Sequence, residues 1–383
     1  MANSETAQKK LGLLIGGSGL IGGYLLHYFK NKTPEIDLRS PNSKKLSLRE
    51  LDDIISYFKR QKPAFVINTA ITTLRSDALL SYEVNYLGSI NLAKVAMALN
   101  IPYIHFSSAA TLPMGENLTE EEHRPLTASL PYYPRSKLMA EMTLKHLVET
   151  KGLDCTIIRL GIVYGKHDHK IQGFHRMLFS VVNEAMMFML TKPGVMHSYS
   201  NTKKIPSFVH YVLENRDEFS GETYHFVDRN PVELSQLILT IKSYLELKRP
   251  KEIYIPYPLA RFSKTILGFL LKRLSRLGLE ARMPKELMFL EYFFKTQVLS
   301  SEKLQKSSYG DPDVDKTIFT ELPDIIKYYQ TRWKLFNLLT GPKGKTREVA
   351  DGVAFFKNDP QNLIKDAHRR EVDYFTDYNS LRE

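Results

Sequence analysis

LGLLIGGSGLIGG, residues 11–23, is the stretch whose reading decides the fold. Leu11, Leu13, Leu14 and Ile15 form a short apolar run that ends in glycines, which predicts a buried strand. Gly16, Gly19 and Gly22 follow at G-x-x-G-x-x-G spacing, and Tyr24, Leu25, Leu26, Tyr28 and Phe29 continue with helical periodicity. Strand, glycine turn and helix open a dinucleotide-binding unit. The glycines let the backbone turn tightly and approach a pyrophosphate, whose charge rests on the first free N–H groups of the helix. A close strand–helix contact would need the same glycines, so the remainder of the chain has to decide between the two.

Working outward, residues 35–40 (EIDLRS) predict a short second strand whose end reaches the same sheet edge as the glycine turn. An acidic residue there reads a ribose 2′-hydroxyl; here the strand ends in Arg39 and Ser40, with Lys44 and Lys45 close behind. A guanidinium and a hydroxyl suit a 2′-phosphate, so NADP(H) is the expected cofactor, with NAD as the alternative read through Asp37. Residues 48–58 predict a helix, and residues 64–67 a strand running into Asn68, Thr69 and Ala70. Residues 79–100 form a long helical pattern containing Asn85, and residues 103–106 the next strand. Alternating strands and helices predict an α/β fold with a Rossmann-type, doubly wound parallel sheet.

That fourth strand runs into Ser107-Ser108-Ala109-Ala110-Thr111, and Tyr133 and Lys137 then open a helix at i, i+4, on one face. A tyrosine hydroxyl is a poor acid–base group at neutral pH because its unperturbed pKa is about 10. An adjacent ammonium and a positively charged nicotinamide favour the phenolate and lower that value. A serine at the end of the preceding strand is placed to bind the substrate oxygen on which charge changes.

With these residues in order, the chain resembles the extended short-chain dehydrogenase/reductases, the NAD(P)-dependent epimerase/dehydratase family. The resemblance runs through GGSGLIGG at 16–23, NTA at 68–70, VNYLGSINL at 84–92, FSSAATLP at 106–113, YPRSKLMAE at 133–141 and RLGIVYG at 159–165. It covers roughly residues 10–245. By this resemblance Tyr133 is the general acid/base, Lys137 holds the nicotinamide ribose and tunes Tyr133, and Ser108 matches the catalytic serine, with Ser107 as the fallback. It places Gly16, Ser18, Gly19, Leu20, Ile21, Gly22, Arg39, Ser40, Asn68, Thr69, Ala70 and Asn85 around the cofactor, together with Tyr133 and Lys137. Ile15 stands where the family has threonine and Pro134 where it commonly has glycine; neither removes a reacting group. The short segment EIDLRSP resembles the abbreviated NADP-binding segment of reductases that finish deoxysugar nucleotides. Ala109-Ala110 stand where the family's dehydratases carry Asp-Glu, and where its fucose-forming epimerase-reductases carry a cysteine.

The substrate side carries a looser signal. Residues 173–190 are rich in Phe, Met, Leu and Val and leave little polar face, so the pattern reads as a buried helix or a greasy pocket. In residues 259–279, Phe262, Ile266, Phe269, Leu270, Leu274 and Leu277 fall on one helical side and Arg261, Lys264, Lys272, Arg273 and Arg276 toward the other. Such a helix suits an anionic membrane surface, or packs on the protein with a solvated basic face. The expected organisation is a cofactor-binding core over residues 1–165 and a smaller, mainly helical substrate region over 166–336, interleaved with late Rossmann elements. A charged extension follows over 337–383. GPKGKT at 341–346 lacks the earlier glycine of a P-loop and follows a helical pattern at 325–338, so it is rejected as a nucleotide site.

The 383 residues suffice for one large or two closely joined domains, and 43% hydrophobic with 25% charged residues is ordinary for a globular chain. The N-terminus does not read as a signal peptide, and no apolar run approaches the roughly 18 residues of a membrane span. The single cysteine, Cys155, excludes an internal disulfide and a multi-cysteine metal site, and reads as a buried thiol in a reducing cytoplasm. His167, His169 and His175 read as solvated loop residues with no metal. The net charge of +11 calls for an anionic partner: cofactor phosphates or the inner face of an anionic membrane. No nucleic-acid motif is present. A second copy of the chain is the further candidate partner.

The activity expected from these readings is NADP(H)-dependent interconversion of a ketone and a secondary alcohol on a bulky apolar, lipid- or sterol-like substrate. The alternatives are a nucleotide-sugar epimerase or reductase, and a non-catalytic NADP-binding subunit at a membrane.

Overall fold

The computed structural model describes residues 9–72, 76–186, 188–189, 191–252, 257–259, 262, 291–336, 338–339 and 356–369. The chain opens with β1 (Lys10–Ile15), α1 (Leu20–Lys32), β2 (Ile36–Arg39), α2 (Leu51–Gln61) and β3 (Phe65–Asn68). A short α3 (Ala78–Leu80), a π-helical segment (Ser81–Leu87) and α4 (Gly88–Ala98) occupy the expected long helix. Then come β4 (Tyr103–Ser108), β5 (Gly115–Leu118), α5 (Tyr132–Lys151), β6 (Cys155–Leu160) and β7 (Ile162–Tyr164). The expected helix at 48–58 starts and ends three residues later, because Lys62 adopts a left-handed conformation and its N–H closes on Phe58 O.

Six strands form one parallel sheet in the order β11-β6-β4-β3-β1-β2, where β11 is Thr223–Phe226. Strand order reverses between β1 and β3, so the loops leaving their C-terminal ends diverge and open a crevice at that edge. Side chains alternate across the sheet. Leu14 packs with Leu25 and Phe29 of α1 and with Phe208 and Val209 of α7 (Ile205–Glu214) on one face. Leu13 and Ile15 pack with Phe58, Ile90 and Leu144 from α2, α4 and α5 on the other. Helices on both faces and apolar strands between them are what a parallel sheet needs. Cys155 is buried, as the apolar run around it predicts.

A third core lies beyond the sheet: Tyr164, Phe174 and Leu178 pack with Leu237 and Ile238, and with Ile326, Tyr329 and Trp333. The last three sit on a helix, Ile318–Leu335, that begins earlier than the 325–338 pattern predicts, at the Thr317 capping box. This region is not helical throughout. It includes a four-stranded sheet, β12-β9-β14-β5, with β9 at Met196–His197, β12 at Val232–Glu233 and β14 at Gln297–Leu299. Nor does one helix span 173–190: α6 (Phe174–Val182) stops where Glu184 turns left-handed and Ala185 N–H returns to Ser180 O. The amphipathic stretch 259–279 lies outside the described residues except for Leu259 and Phe262, both exposed. GPKGKT at 341–346 lies outside them too, and of the 337–383 extension a helix at Pro360–Arg369 is described. Among the described residues no helix is long and apolar enough to cross a membrane.

Candidate active site

A cleft of about 1060 Å³ opens at the crevice between β1 and β3. One wall is the glycine turn: Gly16, Gly17, Ser18, Gly19, Leu20, Ile21 and Gly22, joined by Ser40, Thr69 and Ala70. A Cβ at Gly22 would stand 2.3 Å from Gly16 O and 2.6 Å from Gly17 Cα, so only glycine lets the helix start this close to the turn. Gly16 has φ +94°, and a Cβ there would stand 2.7 Å from Ala70 N. The N-terminus of α1 has no side-chain cap, and Leu20, Ile21 and Gly22 border the cleft there. Uncapped helix N–H groups beside a turn cleared of side chains fit a dinucleotide's pyrophosphate.

Beyond β2, Gly17 N–H donates to Ser40 Oγ at 3.1 Å, which brings the Ser40 hydroxyl against the turn. Arg39 is exposed, paired to Asp37 at 2.7 Å and donating to Gln61 Oε1 at 3.1 Å, and lies outside the cleft lining. The residue expected to compete with it thus holds its guanidinium. Asn68 and Asn85 stand behind the wall. Asn68 donates to Ser89 Oγ and Tyr103 OH at 3.1 and 2.9 Å and accepts from Ala70 N at 3.1 Å. Asn85 accepts from Thr72 N at 2.9 Å and donates to Ser136 Oγ at 3.2 Å. Both are fully buried with their amides engaged, so they shape the loops bordering the cleft and do not line it.

Ser108, Tyr133 and Lys137 meet in the same cleft. Ser108 ends β4 and caps the following turn, its Oγ accepting from Ala110 N at 3.2 Å. Tyr133 lies in the first turn of α5 and hydrogen-bonds the Ser108 side chain. Lys137, one turn further on, is buried and donates from Nζ to Phe106 O at 2.8 Å. Burial pushes the Tyr133 phenol up, the Ser108 hydrogen bond opposing it and the Glu141 carboxylate adding to the rise. Burial lowers Lys137 to about 8, Glu141 opposing. The downward shift expected for Tyr133 is therefore absent in the protein alone: burial dominates, and the ammonium is tied to Phe106 O.

The two serines differ in what they touch. Ser107 is buried and donates to the Glu141 carboxylate, which also takes Arg159 Nη2 at 2.7 Å, with both charged side chains 2% exposed. Arg159 Nη1 reaches Glu120 O at 2.8 Å and His225 Nε2 at 3.3 Å. A buried ion pair this fully hydrogen-bonded joins α5, β6, β11 and the 120 loop beneath the end of β4. Ser107 is engaged below the cleft while Ser108 borders Tyr133, which favours Ser108 as the substrate-facing hydroxyl.

The opposite wall brings together Phe174, Met177, Met186, Leu234, Tyr292 and Phe293, so the Met-rich stretch contributes side chains to the cleft. His175 departs from expectation. His167 and His169 are exposed, but His175 is 1% exposed, its Nε2 donating to Gly165 O at 2.6 Å and its Nδ1 3.3 Å from Asp168. Asp168 folds the loop around itself by accepting from Lys170 N and Gln172 N at 3.1 Å each, and this draws His175 inside. No group of three metal-ligating side chains exists among the described residues.

Sequence reading missed Glu141, Arg159, His197 and Gln297. Glu141 follows Lys137 by four on the same helix face, and Arg159 interrupts an apolar strand, so each carried a signal of a buried partner. Gln297 and His197 carried none.

Residues 13–197 match the model of the NAD dependent epimerase/dehydratase family. Among curated proteins, the chain is 24% identical over 268 residues to the N-acetyl-alpha-D-glucosaminyl-diphospho-ditrans,octacis-undecaprenol 4-epimerase of Escherichia coli O157:H7, covering 64% of this chain and 76% of that protein. It is 21% identical over 268 residues to the GDP-L-fucose synthase of Dictyostelium discoideum, covering 64% and 82% respectively. Among solved structures, the UDP-glucose 4-epimerase of Thermus thermophilus in complex with NAD superposes with a TM-score of 0.59 at 16% identity, covering 84% of this chain and 99% of that one.

Proposed function

With residues 13–197 belonging to the NAD dependent epimerase/dehydratase family, we propose that this protein is an NADP(H)-dependent oxidoreductase interconverting a ketone and a secondary alcohol on a substrate with a bulky apolar body. The observation that carries the reading is the meeting of Ser108, Tyr133 and Lys137 in the cleft bordered by the glycine turn. When bound, the nicotinamide gives or takes the hydride. The glycine turn and the start of α1 would hold the pyrophosphate, and Ser40, joined by Arg39 on release from Asp37, would read a 2′-phosphate. In the reducing direction Tyr133 Oη gives its proton to the carbonyl oxygen, and in the oxidising direction it takes the alcohol proton back. Ser108 Oγ hydrogen-bonds that oxygen as its charge changes. Lys137 supplies the positive charge that favours the phenolate. Phe174, Met177, Met186, Leu234 and Phe293 accommodate the apolar part.

The test is NADPH oxidation by the full chain with trans-1-decalone, a neutral bulky ketone, with and without Tyr133→Phe. Turnover that falls by roughly 10²–10⁴ in the variant, with NADPH affinity unchanged, supports the reading. Turnover untouched by Tyr133→Phe would remove Tyr133 from the chemistry.

A second reading, a 4-epimerase or reductase of a sugar carried on a diphosphate, is favoured by the names of both curated relatives. Tight binding of UDP-glucose together with inertness toward decalone would move the assignment to it.

A further inference from the structure

One cation of the cleft wall has no anionic partner among the described residues. Arg124 is half-buried and lines the cleft. Its main-chain N–H donates to Thr111 O at 2.8 Å and its Nε to Leu112 O at 2.6 Å, so the residue hangs on the turn that follows Ser108. Gln297 of β14 anchors that turn, its Nε2 lying 3.0 Å from Ala109 O, 3.2 Å from Leu112 O and 2.9 Å from Pro113 O. With Nε spent on a carbonyl, the side-on edge of the guanidinium is closed. Nη1 and Nη2 keep the end-on edge, with its two parallel N–H donors. Among the described residues neither Nη has a hydrogen-bond partner, and no carboxylate oxygen lies within 4.0 Å of the guanidinium.

Two neighbours place Arg124 near the chemistry. Tyr292 of the opposite wall feels both Arg124 and Tyr133: burial pushes its phenol up to about 12, Arg124 opposing and Tyr133 adding to the rise. Glu291 borders the cleft as well, but its Oε1 is taken by Lys295 Nζ at 2.9 Å. Arg124 and Glu291 also border a side cavity of about 400 Å³ walled by Pro113, Met114, Pro125, Thr127 and Leu130, so the guanidinium stands at the threshold between the two spaces.

We propose that Arg124 is an oxyanion-binding residue of the substrate site, receiving a carboxylate that the ketone or alcohol carries a few bonds from its reacting carbon. The chemical class is an oxo or hydroxy acid with an apolar body. A planar carboxylate matches the two end-on donors of a guanidinium held rigid from behind. This rests on the proposed function and deepens it by naming the charge that one end of the substrate bears. A neutral ketone still enters, because Arg124 is open enough to stay hydrated beside it, and forgoes the ion pair alone.

The experiment titrates the full chain, saturated with NADP⁺, by calorimetry with 4-oxodecahydronaphthalene-1-carboxylate, with its neutral methyl ester and with UDP. The acid should bind at least about tenfold more tightly than the ester, as a charge-assisted pair allows. Arg124→Gln should cut that preference to below about threefold, whereas Lys295→Gln, which alters a cation of the side cavity already paired to Glu291, should preserve it. Loosening of the turn would weaken acid and ester alike and leave their ratio standing. Any affinity for UDP should be the same with and without the Arg124 substitution. Equal affinity for acid and ester, no measurable binding of the acid, a preference that survives Arg124→Gln, or an equal loss in Lys295→Gln overturns the inference. So does UDP binding that falls with Arg124→Gln, which would give the guanidinium to a diphosphate. NADPH oxidation with the same two ketones separates the proposals. An Arg124-dependent preference without turnover of either ketone counts against the proposed function, and turnover of the ester without a preference for the acid counts against Arg124 alone.

Discussion

The two walls of the cleft are built by different rules. The cofactor-side wall is nearly one run of chain, Ile15 to Gly22, with Ser40, Thr69 and Ala70 added from neighbouring strand ends. Its working groups are mostly backbone, and its side chains are chosen for being absent. The opposite wall draws on α6, β9, Leu234 and the segment 291–297, and its working groups are side chains held by distant partners. A wall made of backbone can be written as a local motif. A wall made of side chains depends on tertiary contacts that no short window contains.

Substitutions can break or sharpen this contrast. The largest effect is expected where the walls meet: Ser108→Ala should lower kcat/KM by roughly 10²–10³, as removal of a donor to a developing oxyanion does. Ser107→Ala should leave turnover far less affected and instead lower stability by about 1–3 kcal/mol, because it strips a partner from a buried carboxylate. Steady-state kinetics and urea denaturation on the two variants check the pair, and equal kinetic losses would erase the distinction between them.

Next is Gly22→Val. The side chain has no room at the turn, so cofactor affinity should fall at least about tenfold. NADPH fluorescence titration measures it, and unchanged affinity would mean that the turn does not hold the pyrophosphate.

A milder dependence on pH follows from Lys137. Its folded pKa, about 8, is below the usual 10.5, so ketone reduction, which needs the protonated ammonium and phenol, should decline as pH rises through about 8. Lys137→Arg should flatten that limb. The linkage has the opposite sign for stability. Between about 8 and 10.5 the unfolded chain binds the proton that folded Lys137 has released, so this group makes the fold more stable as pH rises across the window. The smallest change is expected from Arg39→Ala. With its guanidinium exposed and shared with Asp37, the ratio of NADP to NAD affinity should shift by roughly two- to fivefold. No shift would assign the 2′-phosphate to Ser40 and its neighbours.

Legibility in the sequence follows the same division. Residues 11–23 announced β1, the turn and α1 because their spacing carries the backbone geometry itself. Tyr133 and Lys137 could be paired because helical periodicity places them on one face. Asn68 and Asn85 were read as ligand-facing because their positions border the cleft, but nothing local shows whether an amide points outward or braces a loop. His175 looked like a loop histidine until Asp168 folded the loop over it. Gln297 was invisible, since its importance lies in three carbonyls of a turn far away in the chain.

The Gln297 clamp also sets an order in time. It closes on Leu112 across 185 residues of chain. At a synthesis rate of roughly 5–20 residues per second, Leu112 emerges from the ribosome about 10–40 s before the amide that grips it. The glycine turn, with Ser40 and Thr69 beside it, is complete long before. The turn behind Ser108 therefore gains its anchor only when the late strand is in place.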